Sequence, residues 1–131
     1  MDIELLMKKA KEVRKYAYAP YSNFTVGAAL LTKEKKIFTG CNVENTAYSS
    51  TICAERVCLV KAVSEGYRDF TAIAIYADTD FISPCGECRQ VLAEFNGNIK
   101  VIIGSPGNYQ EKTLNDLLPF SFNFFSGKSE E

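Results

Sequence analysis

Three cysteines in two separated segments are the residues best suited to chemistry. Cys53 opens the triplet Cys53-Ala54-Glu55, and Cys85 and Cys88 form a Cys-x-x-Cys pair further along the chain. Residues three apart on a helix share a face, so this pair could bind one metal ion together. Three thiolates with one open position are typical of a catalytic zinc site, whose fourth place takes water. The pattern therefore predicts one zinc ion held by Cys53, Cys85 and Cys88.

A carboxylate and a guanidinium follow the first of these cysteines. Zinc lowers the pKa of a bound water to about 7, and a catalytic site then needs a group that moves protons. Glu55 is not spaced as a ligand and can accept a proton and deliver it to a substrate. Three thiolates leave the metal site negatively charged, and Arg56 could offset that charge by donating to a thiolate sulfur. An ordinary surface ion pair is the alternative for Arg56.

The composition excludes several other classes of site. The chain contains no histidine, which excludes Ser-His-Asp triads, Cys-His dyads and HExxH zinc helices. The formal net charge of −1 supplies no dominant positive field for nucleic acid. No apolar stretch approaches the roughly 20 residues of a membrane span, and the first residues lack a signal-peptide core. We expect a cytoplasmic protein without a membrane partner, in which the five cysteines stay reduced.

Other uses of the cysteines remain open at this stage. A closed structural zinc site would need a fourth ligand, which Cys41 or Cys58 could supply. A redox Cys-x-x-Cys pair would leave Cys53 and Glu55 unexplained, and unrelated core thiols are a further alternative. Cys58 lies more than one helical turn beyond Cys53, so we expect Cys58 and Cys41 to be core thiols.

Apolar periodicity predicts the elements that carry these residues. Helical spacing predicts three helices, over residues 3–16, 51–65 and 83–95. Apolar runs predict four strands, over residues 24–32, 37–43, 71–77 and 99–103. Ser83 and Pro84 suit the first positions of the third helix, and Thr113 with Asp116 resembles a capping box for a short helix over 113–118.

The order of these elements predicts an α/β sheet covered on both faces, made mixed by an opening hairpin. Helices that begin near Cys53 and Cys85 would present free N–H groups to the thiolates and lower their pKa. The length of 131 residues fits one domain over 1–131. We expect the polar end, 127–131, to be frayed.

These motifs, in this order, resemble the cytidine deaminase family in its small, homotetrameric zinc-dependent form. The triplet at Cys53 and the Pro-Cys-x-x-Cys run match the three-cysteine variant of a zinc-deaminase signature. The resemblance extends over most of the chain through Tyr18-Ala-Pro-Tyr-Ser22, Phe24-Thr-Val-Gly-Ala28, Gly40-Cys-Asn-Val-Glu-Asn45, Cys53-Ala-Glu-Arg56, Ser83-Pro-Cys-Gly86, Cys88-Arg-Gln90 and Leu117-Leu-Pro119. It implies a three-layer α-β-α sandwich around a mixed, mostly five-stranded sheet, with one zinc per chain.

The resemblance also implies an activity. Cytidine and deoxycytidine would be hydrolysed to uridine and deoxyuridine with release of ammonia, in pyrimidine salvage. Glu55 would protonate the ring N3 and later move a proton to the departing ammonia. The implied substrate contacts are Phe24 on the pyrimidine, Asn42 and Glu44 on the ribose 3′-hydroxyl, the Ala54 N–H on the base carbonyl and the Ser83 carbonyl at the leaving amine.

A neighbouring subunit would complete each site in this family. Ala47 and Tyr48 match that role, and so does an aromatic residue after Leu-Leu-Pro, which we place at Phe122. The rivals for that place are Phe120, Phe124 and Phe125. Plain packing is the alternative for Phe24 and Phe122, and a turn role is the alternative for Asn42.

Two features depart from the family's pattern. Glu87 stands where the family usually carries a small residue, and its carboxylate would worsen the charge balance unless it points outward. The link 33–36 lacks the usual Asp-Gly, which leaves the turn type open.

Two other functions remain: a related zinc deaminase acting on another cytosine-containing compound, and a non-enzymatic structural-zinc module. A base in nucleic acid is disfavoured as substrate by the near-neutral charge.

Overall fold

The computed structural model describes residues 1–79, 82–95 and 97–122, which contain both helices and strands. The helices within these residues are α1 (Ile3–Val13), α2 (Ala54–Ser64), α3 (Gly86–Ala93) and α4 (Leu114–Leu117). The strands are β1 (Val26–Thr32), β2 (Ile37–Cys41), β3 (Phe70–Ala77), β4 (Lys100–Ser105) and β5 (Asn108–Thr113). Short 3-10 turns occupy Arg14–Tyr16 and Tyr48–Ser50.

The five strands form one mixed sheet in the order β2-β1-β3-β4-β5. Strand β1 runs antiparallel to both β2 and β3, β3 runs parallel to β4, and β5 returns antiparallel to β4. The parallel pair is connected through α3, as a parallel crossover requires. The expectation of a mixed, five-stranded α/β sheet is confirmed.

Helices cover both faces of the sheet. On one face α1 packs through Leu6 and Ala10 against Ala29, Ala74 and Ile102. The opposite face contacts the other three helices, and its buried residues include Leu30, Ile73, Ile75, Val101, Cys58, Leu59, Leu92 and Leu114. The three-layer sandwich is therefore confirmed, and α2 and α3 lie on the same side of the sheet.

A glycine sets how closely α2 approaches the sheet. A Cβ at Gly40 of β2 would lie 2.6 Å from the backbone nitrogen of Cys58 and 2.7 Å from the carbonyl oxygen of Ala54. Both distances are shorter than real Cβ contacts, so only glycine lets the backbones pack this closely. Gly40 thereby positions the first turn of α2, which carries Glu55.

Two local expectations were wrong. Helix α3 begins at Gly86, with Cys85 rather than Ser83 as its N-cap. The backbone of Cys85 is extended, with φ −66° and ψ 167°, and the Ser83 hydroxyl accepts from Arg89 Nη2 at 3.1 Å instead of capping the helix. Strand β5 was missed because it is a polar edge strand, exposed over all but its last residue, and it has no apolar alternation.

The capping box predicted from Thr113 and Asp116 is present at the start of α4. Thr113 Oγ1 accepts from the Asp116 nitrogen at 3.2 Å, and Asp116 Oδ2 accepts from the Thr113 nitrogen at 3.2 Å, which completes the capping box of α4.

The hairpin from Thr32 to Lys36 places Lys35 at φ +76°. A left-handed third loop residue replaces the Asp-Gly turn. The expected frayed end, 127–131, lies outside the described residues.

The three long predicted helices are all shorter than their periodicity suggested, and α3 occupies 86–93 of the predicted 83–95. Helix α1 stops at Val13 and continues as a 3-10 turn, and α2 occupies 54–64 of the predicted 51–65. Within the described part of the chain, no helix combines the length and apolar character needed to cross a membrane.

Candidate metal centre and active site

Three sulfur atoms meet where α2 and α3 begin. Cys53 Sγ lies 3.9 Å from Cys85 Sγ, and Cys85 Sγ lies 3.4 Å from Cys88 Sγ. All three lie within 4.8 Å of one another. Zinc–sulfur bonds of about 2.3 Å in a tetrahedron would separate the sulfurs by about 3.8 Å. The spacing of the sulfurs and their soft donor chemistry therefore fit one zinc ion.

Helix N-termini surround these sulfurs. Cys53 is the N-cap of α2 and Cys85 is the N-cap of α3, and neither side chain caps its own helix. A hydrogen bond from Cys88 lowers the pKa of the Cys53 thiol, and Arg56 lowers it further. The same hydrogen bond, together with burial, raises the pKa of Cys88. Metal binding requires deprotonated sulfurs, so it would release the proton that the raised pKa of Cys88 favours.

The remaining two cysteines lie apart from the cluster. Cys58 is fully buried, and its Sγ donates to the carbonyl oxygen of Glu55 at 3.1 Å. Burial raises the pKa of both the Cys58 and the Cys41 thiols, and Cys41 is only half-buried. Among the residues that the structure describes, the group able to hold a metal consists of Cys53, Cys85 and Cys88. This arrangement leaves a fourth position for solvent rather than for a fourth thiolate.

Glu55 is the buried carboxyl group beside the sulfurs. It lies in the first turn of α2, and 5% of its surface is exposed. Burial raises its pKa from the ordinary 4.5 to about 7, the negative Cys53 raises it too, and Arg56 acts in the opposite direction. A carboxyl group with a pKa near neutrality can both hold and release a proton at physiological pH.

Glu55, Cys53 and Cys85 line a cavity of about 190 Å³. Its wall includes three residues predicted as substrate contacts: Asn42, Ala54 and Ser83. It also includes three residues that the sequence did not single out: Val26, Thr51 and Ile82. Pockets for drug-sized ligands measure about 300–1,000 Å³, so this cavity suits a single small ring.

Asn42 and Glu44 organise the segment before β1. Asn42 is buried; its Oδ1 accepts from the Val26 nitrogen and its Nδ2 donates to the Phe24 oxygen, both at 2.9 Å. Glu44 accepts from the nitrogens of Tyr21 and Ser22 at 2.9 and 3.1 Å, and from the Ser22 hydroxyl. That hydroxyl holds the pKa of Glu44 below its ordinary value. The cavity wall, as far as the chain is described, contains Asn42 and not Glu44.

The predicted aromatic contacts lie outside this cavity, at the surface of the chain. Phe24 is 39% exposed, Tyr48 76% and Phe122 77%, and Ala47 is exposed as well. The Phe122 carbonyl accepts from Gln90 Nε2 at 2.7 Å. The rival Phe120 is fully exposed at φ +54°. The other two rivals, Phe124 and Phe125, lie outside the described residues.

Arg56 reaches the metal centre from α2. Its Nη2 donates to the Thr51 carbonyl at 3.2 Å and approaches Cys53 Sγ at 3.9 Å. Its Nη1 lies 3.1 Å from Glu87 Oε2. The Arg56 Nε is buried and has no hydrogen-bond partner among the described residues. The Glu87 carboxylate is 64% exposed and faces Arg56.

Arg89 is a site residue whose role the sequence did not reveal. Its Nε donates to the Pro84 carbonyl at 2.8 Å, its Nη1 to the Leu117 carbonyl at 2.6 Å, and its Nη2 to the Ser83 hydroxyl. The guanidinium therefore joins the ligand loop to α4. Arg89 directly follows Cys88 in the sequence, and this position next to a predicted zinc ligand could have indicated a role at the site.

The comparisons with known proteins agree with this site. Residues 1–105 match the family model described as the cytidine and deoxycytidylate deaminase zinc-binding region. The chain is 52% identical to a cytidine deaminase of Sporosarcina psychrophila over 94% of this chain and 93% of that one. It is 50% identical to a cytidine deaminase of Halalkalibacterium halodurans over 93% and 95%. A crystal structure of cytidine deaminase from Burkholderia pseudomallei superposes with a TM-score of 0.90 at 46% identity, covering 93% of this chain and all of that one. This chain therefore belongs to the zinc-binding cytidine and deoxycytidylate deaminase family.

Proposed function

We propose that the protein is a zinc-dependent cytidine deaminase that hydrolyses cytidine and deoxycytidine to uridine and deoxyuridine and releases ammonia. The observation that carries the proposal is a cluster of three cysteine sulfurs, two of whose residues line a small cavity together with the buried carboxyl group of Glu55. When bound, zinc supplies Lewis-acid activation of a water molecule. The relatives described above carry the same activity in their names.

Glu55 moves the protons in this proposal. Hydrolysis forms a C4–O bond from water and breaks the C4–N bond, so ammonia leaves and the carbonyl of uridine remains. Glu55 takes a proton from water, gives it to the ring N3, and then moves the second proton to the leaving amine. Its pKa near 7 suits both directions of transfer.

The wall of the cavity holds the base. The Ala54 N–H is the first of α2 and has no acceptor within the helix, so it is available to the base carbonyl. The Ser83 carbonyl takes the side of the leaving amine. Asn42 Oδ1 and Nδ2 each make one hydrogen bond to the backbone. The oxygen can accept a second hydrogen bond and the nitrogen can donate a second one, and both are available to the ribose. Glu44 shares the 3′-hydroxyl and, being ionised, disfavours a phosphorylated substrate.

A second copy of the chain completes each site, and we propose a homotetramer as the assembly. Large aromatic side chains such as Tyr48 and Phe122 are mostly exposed. Exposed aromatic side chains are enriched at protein–protein interfaces. Ala47, Tyr48 and Phe122 of a neighbouring copy would close the cavity over a base that stacks on Phe24.

We place this activity in pyrimidine salvage in the cytoplasm. The five cysteines are free thiols, as a reducing compartment favours. Residues 1–131 act as one deaminase domain in this proposal, with a nucleoside as substrate and no nucleic acid or membrane as partner.

The test is the ultraviolet loss of cytidine absorbance with purified, zinc-loaded protein, alongside a metal assay. We expect turnover of cytidine and deoxycytidine, one zinc per chain, and much weaker turnover of cytidine monophosphate. A fully loaded protein that leaves cytidine intact would favour a related deaminase acting on another cytosine-containing compound. A folded protein that binds no zinc would overturn the proposal.

A further inference from the structure

An ion pair joins the first turns of the two helices that supply the zinc ligands. Arg56 is the third residue of α2 and Glu87 is the second residue of α3. Their charged groups lie 3.1 Å apart. Cys53 directly precedes α2 and Cys85 directly precedes α3, so the pair spans the two ligand-bearing helix ends beside the metal centre.

Arg56 is the more buried partner and is held at three points. Its side chain is 22% exposed. Its Nη2 is shared between the Thr51 carbonyl and Cys53 Sγ, and its Nη1 is taken by Glu87. The guanidinium is a rigid planar fork, so an anchor at Nη1 fixes the direction in which Nη2 points.

We propose that Glu87 is a positioning residue that holds the Arg56 guanidinium against the Cys53 thiolate. Through that contact Glu87 sets how strongly the sulfur binds the metal. Hydrogen bonds to a ligand atom tune both the affinity and the electronic properties of a metal site. The inference rests on the proposed function only in taking zinc as the metal.

Glu87 and Arg56 differ in exposure, and this difference explains why the Glu87 carboxylate need not add to the negative charge at the thiolates. Its carboxylate is 64% exposed, so water screens its charge from the sulfurs. The Arg56 side chain is only 22% exposed, so water screens its attraction to Cys53 less than it would screen the same pair of charges at an open surface. Glu87 can orient Arg56 without cancelling the positive charge that the thiolates receive.

The experiment compares Glu87→Gln with Glu94→Gln in the full-length, metal-loaded protein. Glu94 is an exposed carboxylate at the end of the same helix, so the two variants lose the same charge. We expect Glu87→Gln to release zinc to a chelator about 10-fold faster, because a thiolate with a weaker hydrogen bond is protonated more easily, with Glu94→Gln unchanged. In the cobalt-substituted protein, the sulfur-to-cobalt absorption band of Glu87→Gln should move to longer wavelength, because a thiolate with a weaker hydrogen bond donates electrons more easily.

A double-mutant cycle with Arg56→Gln tests whether Glu87 acts through Arg56. We expect Glu87→Gln to have no further effect on zinc release or on the cobalt band once Arg56 is replaced. Arg56→Lys, which keeps the charge and loses the fork, takes its place in the cycle if Arg56→Gln does not retain metal.

The inference is overturned if Glu87→Gln behaves like Glu94→Gln, or if its effect persists undiminished without Arg56. Neither readout needs a substrate. A protein that shows the cobalt shift but leaves cytidine intact would therefore contradict the proposed function and support the role of Glu87.

Discussion

Replacement of Glu55 by glutamine separates the catalytic role of this residue from its effect on folding. Glutamine fills the same space but carries no titratable proton. General acid–base catalysis contributes about 10²–10⁴-fold to a rate, and Glu55 serves two transfers. We expect Glu55→Gln to bind zinc normally and to lose at least about 10³-fold in turnover of cytidine. An active variant would remove Glu55 from the mechanism.

The same substitution has a pH-dependent effect on stability in the zinc-free protein. The pKa of Glu55 is about 7 in the folded chain, against an ordinary 4.5, so the folded state binds this proton more tightly than the unfolded state. The stability that Glu55 contributes is fully present below about pH 4.5 and is lost as the pH rises through 7. A difference of this size corresponds to about 3 kcal/mol in the free energy of unfolding.

Urea denaturation of the chelator-treated protein at several pH values measures this difference. Glu55→Gln should match the wild-type chain near pH 4.5 and exceed it by up to about 3 kcal/mol at pH 8. Glu65→Gln, at the exposed end of the same helix, is the matched control and should follow the wild type throughout. Stability curves for Glu55→Gln and wild type that stay parallel from pH 4.5 to 8 would refute the reasoning.

Four other substitutions have defined outcomes. Cys53→Ala should lose both metal and turnover, and retention of tightly bound zinc in a metal assay would show that the ligand set is wrong. Arg56→Gln should lower kcat more than zinc affinity, and unchanged kinetics would contradict charge compensation. Gly40→Ala should lower the free energy of unfolding by about 1–3 kcal/mol, because its Cβ meets backbone atoms; a neutral result in urea denaturation would show that α2 can shift. Phe122→Ala should lower turnover of cytidine with little change in stability, because the side chain is 77% exposed; full activity would assign the role to another aromatic residue.

Most of the metal centre could be predicted from the spacing of residues within two short segments of the sequence. The three-residue spacing of Cys85 and Cys88 indicated that their sulfurs would meet, and they lie 3.4 Å apart although Cys85 is the extended N-cap of α3 rather than part of the helix. The triplet around Cys53 has the composition of a zinc-deaminase signature. The two-sided sheet followed from apolar periodicity. Both kinds of inference depend on short segments whose geometry is nearly independent of the rest of the fold.

The remaining features depend on packing between distant segments. Arg56 and Glu87 meet only because α2 and α3 lie side by side on one face of the sheet, and no local pattern shows which way either side chain turns. The same holds for Arg89 and its contact with the Leu117 carbonyl. Strand β5 escaped detection for a different reason: an exposed edge strand needs no apolar alternation to pair with its neighbour.

The separation of the ligands along the chain has a consequence for how the protein acquires its metal. Cys53 and Cys85 are 32 positions apart, and β3 lies between them. A growing polypeptide that has not yet reached residue 85 offers one of the three sulfurs, and tight coordination must wait until the sheet has brought both helix ends together. Zinc uptake is thus a late event in biogenesis, and a loaded molecule is one whose central strand is already in place.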